Sequence, residues 1–133
     1  MALRAVELWR GGIDLVSPFR TSFGTEASRE LLYVHAVGES HAGWGECVAM
    51  VEPNYSSEYL ENCVQVISRF LVPLLSSESS AADFISSSAP IRGNYMAKAC
   101  VEAALLDLTL REQNVSLAKF LGRQKLVSPQ VFR

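Results

Sequence analysis

The stretch Gly43-Trp-Gly-Glu-Cys-Val-Ala-Met50 decides how the first half of this chain folds. It reads as a strand, and it follows a strand-like segment at 29–37 after a short turn at 38–41. So short a connection predicts an antiparallel hairpin. Gly43 and Gly45 flank Trp44, so little side chain covers the face opposite the indole. We therefore expect another backbone to pack closely against that face.

Upstream of this hairpin the pattern predicts one more strand, from Leu3 to Arg10, with a continuation at 13–16. The intervening Gly11-Gly12 pair indicates a bulge or bend. Residues 17–25, Ser-Pro-Phe-Arg-Thr-Ser-Phe-Gly-Thr, are polar and aromatic and contain the turn formers Pro18 and Gly24. We interpret this segment as a loop and call it the first loop.

Downstream of residue 55 the hydrophobic period changes to that of helices. The first helix is expected to begin at a Ser56 or Ser57 cap and to end near Pro73. Ser80 and Asp83 predict a capping box for a short helix, residues 94–113 predict a long central helix, and 116–121 predict a last short one. The apolar stripe of the first helix comprises Leu60, Cys63, Val64, Ile67, Leu71 and Leu74. That of the long central helix comprises Met96, Ala97, Cys100, Val101, Ala104, Leu105 and Leu108. Strands first and helices after predict an α+β fold.

Composition sets the class of protein. With 133 residues, 49% of them hydrophobic, and 12 basic against 14 acidic side chains, the chain fits one globular domain. The near balance of charge argues against nucleic acid as a partner. The sequence contains neither an apolar run of the roughly 20 residues that a membrane helix needs nor a signal-peptide core. We therefore expect a cytoplasmic protein, with Cys47, Cys63 and Cys100 as reduced thiols.

A search for catalytic motifs identifies no complete site. His35, His41 and Cys47 recur every six residues, but three potential ligands on a hairpin are weak support for a metal. A partly buried His35 and a solvated His41 are the simpler expectation. Asp107 on the apolar helix is expected to pair with Arg111 one turn later. From the residues alone, the chain is a soluble α+β domain without a catalytic set.

Three segments, however, resemble a known family. They are Ser17-Pro-Phe-Arg-Thr-Ser-Phe-Gly-Thr25, Gly43-Trp-Gly-Glu-Cys-Val-Ala-Met50 with Pro53-Asn-Tyr-Ser-Ser-Glu-Tyr59, and Met96-Ala-Lys-Ala-Cys-Val-Glu-Ala-Ala-Leu-Leu-Asp-Leu108 with Leu121-Gly122. Together they resemble the N-terminal capping domain of the muconate-lactonizing branch of the enolase superfamily. The strongest likeness is to o-succinylbenzoate synthases that also act as N-acylamino acid racemases.

The resemblance implies a three-stranded antiparallel meander followed by a helical bundle. Residues 1–122 would be the capping domain and 123–133 a tail at the start of a (β/α) barrel. In complete members the barrel supplies three carboxylates for Mg²⁺ and two lysines that move a proton α to a carboxylate. These residues would lie beyond Arg133, so we expect this chain to bind no cofactor, to carry no catalytic residue and to be inactive alone. The complete enzyme would be a Mg²⁺-dependent lyase or isomerase.

The resemblance also implies a substrate-contacting surface. Phe19, Ser22 and Phe23 would contribute from the first loop, and Met50 and Tyr55 from a second loop. The partners would be the barrel, in the same chain or in trans, and a small carboxylate substrate; a homo-oligomer is left open. The alternative is a stand-alone, non-catalytic binding or scaffold domain that reuses the cap fold, which would expose no large apolar patch.

Overall fold

The computed structural model describes residues 2–122, and it has the predicted order of three strands followed by helices. The strands are β1 (Ala5–Thr21), β2 (Gly24–Val37) and β3 (Ala42–Cys47). They form one antiparallel sheet in the order β1-β2-β3, which confirms the three-stranded meander. The predicted tail at 123–133 lies outside the described residues.

The β1–β2 hairpin is longer than predicted. Gly11 and Gly12 do not form a bulge, because they pair in register with Leu31 and Glu30. The register shifts instead between Asp14 and Phe19, in the segment that contains Pro18. Proline has no backbone N–H and cannot donate to the ladder, which is a physical reason for the shift at that place. Most of the predicted first loop is therefore strand, and the chain reverses only at residues 22–23.

The β2–β3 hairpin is as predicted, but β3 is shorter. Pairing ends at Leu32 opposite Cys47, whereas we expected the strand to extend to Met50. Beyond Cys47 a side-chain hydrogen bond replaces the pairing of the two strands, because Arg29 Nη2 donates to the Val48 carbonyl oxygen over 3.1 Å. The Leu60 N–H donates to the Met50 carbonyl oxygen over 2.7 Å, so Met50 lies where the chain turns from sheet to helix.

The first helix begins later than predicted. Helix α1 (Leu60–Val66) continues through a π-helical turn, Ile67–Leu71, and a 3-10 turn, Val72–Leu74. Tyr59 is its N-cap and makes no side-chain cap, so the Ser56 and Ser57 caps were wrong. The Ser56 hydroxyl oxygen accepts from the Glu58 N–H instead, in a local turn before the helix. Leu74 is exposed, in contrast to the predicted stripe.

Three further helices follow, α2 (Ala81–Ser88), α3 (Tyr95–Gln113) and α4 (Leu117–Phe120). The capping box of Ser80 and Asp83 is present at the start of α2. Ser116 caps α4 by accepting from the Lys119 N–H. A residue outside α3 stabilises its N-terminal turn, because the Met96 N–H donates to the Glu58 carboxylate over 2.9 Å. These helices are those that the periodicity predicted.

Helix α3 packs directly on the backbone of β3. A Cβ atom on Gly45 would lie 1.9 Å from the Cys100 carbonyl oxygen, and one on Gly43 would lie 2.2 Å from the Leu108 backbone nitrogen. Side chains cannot fit at such distances, so the two glycines allow strand and helix backbones to touch. This confirms the close approach predicted opposite Trp44.

Two hydrogen bonds fasten the same contact. The Cys100 thiol donates to the Gly45 carbonyl oxygen over 3.3 Å, and the Trp44 N–H donates to the Asp107 carboxylate over 2.9 Å. Asp107 also accepts from Arg111 Nε at 3.0 Å, as predicted. The core lies between the inner face of the sheet and the helices and comprises Leu32, Val34, Ala36, Cys47, Ala49, Leu60, Cys63, Val66, Ile67, Leu71, Phe84, Ala97, Cys100, Val101, Ala104, Leu105 and Leu108.

Candidate functional site between the two loops

The tip of the β1–β2 hairpin presents the first set of predicted site residues. Its turn is held by Thr21, whose hydroxyl oxygen accepts from the Phe23 N–H over 3.1 Å and donates to the Gly24 carbonyl over 3.3 Å. Gly24 has φ +131°, a conformation that favours glycine. Phe19 and Phe23 project from this tip as exposed aromatic side chains.

The second loop, residues 50–59, presents the other predicted residues. Hydrogen bonds within it join Asn54 to Glu52, from backbone to carbonyl at 2.9 Å and from side chain to carboxylate at 3.0 Å. The loop is closed at its base by the bond between Leu60 and Met50 and is anchored to α3 through Glu58. Tyr55 is exposed and Met50 is half-buried. Two separate segments thus reach the same end of the sheet.

These two loops enclose a cavity of about 360 Å³. The rings of Phe23 and Tyr55 meet across it edge to face, with centroids 5.9 Å apart and planes at 88°. Ser22 is not among the lining residues and lies exposed in the turn. The structure thus brings together four of the five predicted residues, and the lining consists of Phe19, Thr21, Phe23, Glu26, Arg29, Val48, Met50, Tyr55 and Met96.

Five of the lining residues were missed from the sequence, and they are Thr21, Glu26, Arg29, Val48 and Met96. Glu26 and Arg29 lie on β2, and Met96 lies in the first turn of α3. The Arg29 guanidinium is 3.6 Å from the Glu26 carboxylate, and both side chains are about one-third exposed. Arg29 had no local signal, because β3 was expected to pair as far as Met50 and instead ends at Cys47. Met96 was recognised only as part of an apolar stripe.

The chemistry of this cavity is that of a contact surface. The carboxylate of Glu26 and the guanidinium of Arg29 oppose each other in charge, so the lining has no net charge from this pair. Most of the remaining wall is aromatic, thioether or aliphatic, which suits apolar parts of a ligand.

A larger cavity of about 650 Å³ lies between α2 and the start of α3. Its charged side chains are Arg92, Lys98 and Glu102, and the Lys98 ammonium contacts the Ile91 carbonyl oxygen. None of the predicted site residues lines it. Size alone therefore does not select the functional site.

The described residues hold no candidate metal centre. Within residues 2–122 there is no group of three or more His, Cys, Asp or Glu side chains placed to hold an ion. His35 is instead half-buried, 2.9 Å from the Glu7 carboxylate through Nδ1, and His41 is exposed, as expected from the sequence. The described part of the chain therefore does not fit a Mg²⁺ site.

The three cysteines are free and buried. Hydrogen bonding from Cys63 lowers the pKa of the Cys47 thiol to about 7, and the same pairing raises the pKa of Cys63. Burial raises the pKa of the Cys100 thiol to about 12. All three side chains lie in the core, away from the cavity between the loops, so they are packing groups. Over residues 2–122, no helix is both long enough and apolar enough to cross a bilayer.

Comparison with known proteins identifies the same family that the sequence resembles. Residues 5–122 match the family described as mandelate racemase / muconate lactonizing enzyme, N-terminal domain. The chain is 47% identical over 124 residues to an N-succinylamino acid racemase of Amycolatopsis sp, covering 92% of this chain and 34% of that protein. It is 40% identical over 116 residues to an o-succinylbenzoate synthase of Geobacillus kaustophilus, covering 85% and 31% respectively.

Solved structures agree in fold. A member of the enolase superfamily from Listeria innocua superposes with a TM-score of 0.87 at 31% identity, covering 94% of this chain and 34% of that one. The L-Ala-D/L-Glu epimerase from Bacillus subtilis superposes with a TM-score of 0.75 at 26% identity, covering 85% and 32%. The chain spans about a third of the length of these relatives. It belongs to the mandelate racemase / muconate lactonizing enzyme N-terminal domain family of the enolase superfamily.

Proposed function

We propose that this chain is the substrate-specificity cap of an o-succinylbenzoate synthase or N-acylamino acid racemase-like enzyme. The observation that carries the proposal is the cavity between the two loops. Phe19 and Phe23 from one segment meet Met50 and Tyr55 from another around a single volume of about 360 Å³. In this role the four side chains contact the apolar part of a small carboxylate substrate, orient it and exclude water from it.

The catalytic groups would come from a (β/α) barrel, in the same chain or in trans. Acid–base residues and Mg²⁺ ligands are assigned to the barrel, because the family resemblance implies them there and residues 2–122 hold no group of three or more potential metal ligands. The capping domain is assigned to residues 1–122 and the protein to the cytoplasm. Ser22, exposed in the turn between the two strands, would approach the substrate only from the rim of the cavity.

The exposed apolar side chains favour a cap over a stand-alone scaffold. Phe19, Phe23, Val51 and Tyr55 are all at least half exposed, and they lie at the end of the sheet where the two loops meet. A domain that works alone rarely leaves such a patch uncovered. A domain that closes over a second domain and a ligand requires one.

A domain exchange tests the proposal. Residues 1–122 would replace the capping domain of the Amycolatopsis racemase, and racemisation of N-succinylamino acids would be followed by polarimetry. We expect an active chimera in which Phe23→Ala, Met50→Ala or Tyr55→Ala lowers kcat/KM by about tenfold or more, since each removes contacts worth about 1.4 kcal/mol.

Tyr95→Ala serves as the matched control, because Tyr95 is also an exposed aromatic residue but does not line this cavity. Its kcat/KM should equal that of the unmodified chimera. An active chimera that tolerates all three cavity substitutions would show that the loops do not contact the substrate. Mg²⁺-dependent exchange of a substrate α-proton by the isolated chain would refute the assignment of catalysis to the barrel.

A further inference from the structure

The outer face of the sheet, opposite the helices, carries a second group of aromatic residues. On one rung Trp9 pairs with Tyr33, and Tyr33 pairs with Glu46. On the next rung Glu7 pairs with His35, and His35 pairs with Trp44. The intervening positions face the core, so these six side chains share the solvent face. We call them the outer aromatic patch.

Three of these rings form a hollow. The Trp44 ring centroid lies 6.4 Å from that of Trp9 and 6.2 Å from that of Tyr33. The Tyr33 and Trp44 planes are perpendicular, at 90°, and the two indoles are tilted by 54°. The hollow has a volume of about 340 Å³, and within residues 2–122 it is lined by these three rings. Flat packing of the rings would leave no such space.

Hydrogen bonds hold the rings in this arrangement. Trp9 Nε1 donates to Glu7 Oε2 over 3.0 Å, and His35 Nδ1 lies 2.9 Å from the same oxygen. The His35 ring stacks on Trp44 at a centroid distance of 3.9 Å. Trp44 is in turn fixed through its backbone N–H to Asp107 of α3. The hollow is thus built by a connected network and is not a chance contact of loose side chains.

The charges around the hollow select a cation. Aromatic faces carry the negative lobes of the ring quadrupole, and the carboxylates of Glu7 and Glu46 lie on the two rungs beside them. Hydrogen bonding from His35 and from Trp9 lowers the pKa of Glu7, so that group is ionised at neutral pH. The nearby Arg10 lies on the other face, where it binds Glu61 at 2.7 Å and Glu30 at 3.3 Å.

We propose that the hollow between Trp9, Tyr33 and Trp44 binds a small alkylated ammonium ion, with Glu7 and Glu46 providing charge complementarity. Quaternary ammonium groups are recognised by aromatic cages because they combine charge with an apolar surface. The volume lies at the lower end of the range for small-molecule sites, about 300–1,000 Å³, and suits a trimethylammonium head group. This inference is independent of the proposed role of the two loops.

The chain provides its own reporter for the test. Its two tryptophans are Trp9 and Trp44, so tryptophan fluorescence, excited where tyrosine does not absorb, reports on the outer aromatic patch. The 133-residue chain would be titrated with choline chloride at constant ionic strength, and both indole N–H signals would be followed by NMR. We expect saturable changes with a Kd in the millimolar range. The carbon isostere of choline, in which a tert-butyl group replaces the trimethylammonium group, should bind at least about fivefold more weakly.

Substitutions separate charge from shape. Glu46→Gln should raise the Kd for choline by about threefold, and Trp9→Leu by about tenfold, because each removes one part of the cation's environment. Glu78→Gln is the matched control, since Glu78 is an exposed carboxylate away from the sheet. It should leave the Kd unchanged. Glu46 is exposed, so the Glu46→Gln result stands even where Trp9→Leu disturbs folding.

Three results would overturn the proposal. Equal affinity for choline and its carbon isostere would reduce the hollow to an apolar patch. Changes in fluorescence that rise linearly with choline, without saturation, would show that there is no site. A peptide carrying trimethyl-lysine that binds more than about tenfold tighter than choline would make the occupant a protein segment and not a small molecule.

Discussion

The contact between β3 and α3 and the cavity between the two loops differ in the size of the side chains that form them. At the first, Gly43 and Gly45 remove side chains altogether, so that a strand and a helix meet backbone to backbone. At the second, Phe23 and Tyr55 project large rings into an open space and touch each other only at an edge. The β3–α3 contact leaves no space for a side chain, whereas the two loops leave an open cavity between them.

This difference separates fold from function within one small domain. Residues that close the β3–α3 contact have no freedom to vary, because any added atom meets backbone. Residues around the cavity between the loops can change size and polarity without disturbing the sheet or the helices behind them. A scaffold of the first kind allows ligand contacts of the second kind to be altered. We therefore expect substitutions in the two regions to differ sharply in their effects on stability.

The largest effect is expected at Gly45. Gly45→Ala would place a Cβ atom 1.9 Å from the Cys100 carbonyl oxygen and 2.8 Å from the Ala104 backbone nitrogen. Neither is the end of a flexible side chain, so strand and helix must move apart and open the core. We expect a loss of about 3 kcal/mol or more in the free energy of unfolding, measured by urea denaturation with circular dichroism.

Gly11→Ala is the matched control for that substitution. Gly11 is also in the sheet, but a Cβ atom there has no neighbour within 4 Å. Its effect on the free energy of unfolding should stay within about 0.5 kcal/mol, and removal of glycine flexibility could even stabilise the strand. Similar losses at both positions would mean that glycine is needed for its backbone flexibility in the sheet and not for the close approach to α3.

A smaller effect is expected at Asp107, which fastens the same contact by a hydrogen bond. Asp107→Ala would leave the Trp44 N–H without its acceptor, at a cost of about 2 kcal/mol. Arg111→Ala removes only the exposed partner of Asp107 and should cost less than about 0.5 kcal/mol. Thermal unfolding of both variants compares the two bonds. Equal losses would show that the ion pair, and not the bond to the strand, stabilises the interface.

The two regions also differ in how far the sequence predicts them. The close approach at Gly43 and Gly45 follows from two glycines around one tryptophan, because an absent side chain has a direct geometric consequence. The helices follow from periodicity and caps, as at Ser80 and Asp83. Such signals are local, and the structure confirms these, although the predicted cap at Ser56 or Ser57 was wrong. The pairing of Asp107 with Arg111 belongs to the same class, whereas its bond to Trp44 spans 63 positions and has no local signal.

The candidate site was harder to predict, and for a physical reason. Four of its residues were identified through the family resemblance, but the loop that carries Phe19 and Phe23 proved to be mainly strand, with the irregularity near Pro18 and not at Gly11-Gly12. Arg29 and Met96 enter the cavity through tertiary packing of β2 and α3. Arg29 is not marked by periodicity, and the apolar stripe that includes Met96 does not mark it as a cavity residue. Long-range packing, unlike a cap or a glycine, leaves little trace in a single sequence.

An effect of about 1 kcal/mol is expected at the helix cap that lies outside both regions. Ser80→Ala removes the acceptor for the Asp83 N–H and the donor to its carboxylate, and it should lower the free energy of unfolding by that amount at neutral pH. Gly93→Ala would not serve as a control because of its positive φ, but Ser87→Ala, within the same helix, should be nearly neutral.

The cap also predicts a pH dependence. Hydrogen bonds from the Ser80 backbone and hydroxyl lower the pKa of Asp83 in the folded state. Its stabilising contribution is therefore present above the unfolded value of about 3.9 and is lost as the pH falls through the lower folded value. The difference in stability between the wild-type chain and Ser80→Ala should shrink on acidification below that range. A difference that stays constant with pH would show that the carboxylate does not contribute.

The smallest effect on stability is expected between the two loops. Phe23 and Tyr55 are both more than half exposed, so each alanine substitution should cost less than about 1 kcal/mol, and a double-mutant cycle should give a coupling of about 0.5 kcal/mol for the edge-to-face contact. Urea denaturation of the two single variants and the double variant measures it. A coupling near zero would mean that the rings do not meet in solution. Losses as large as that of Gly45→Ala would place the loops within the core. Because the same substitutions are expected to lower the kcat/KM of the chimera about tenfold, a small stability cost is what distinguishes a surface kept for a substrate from one kept for the fold.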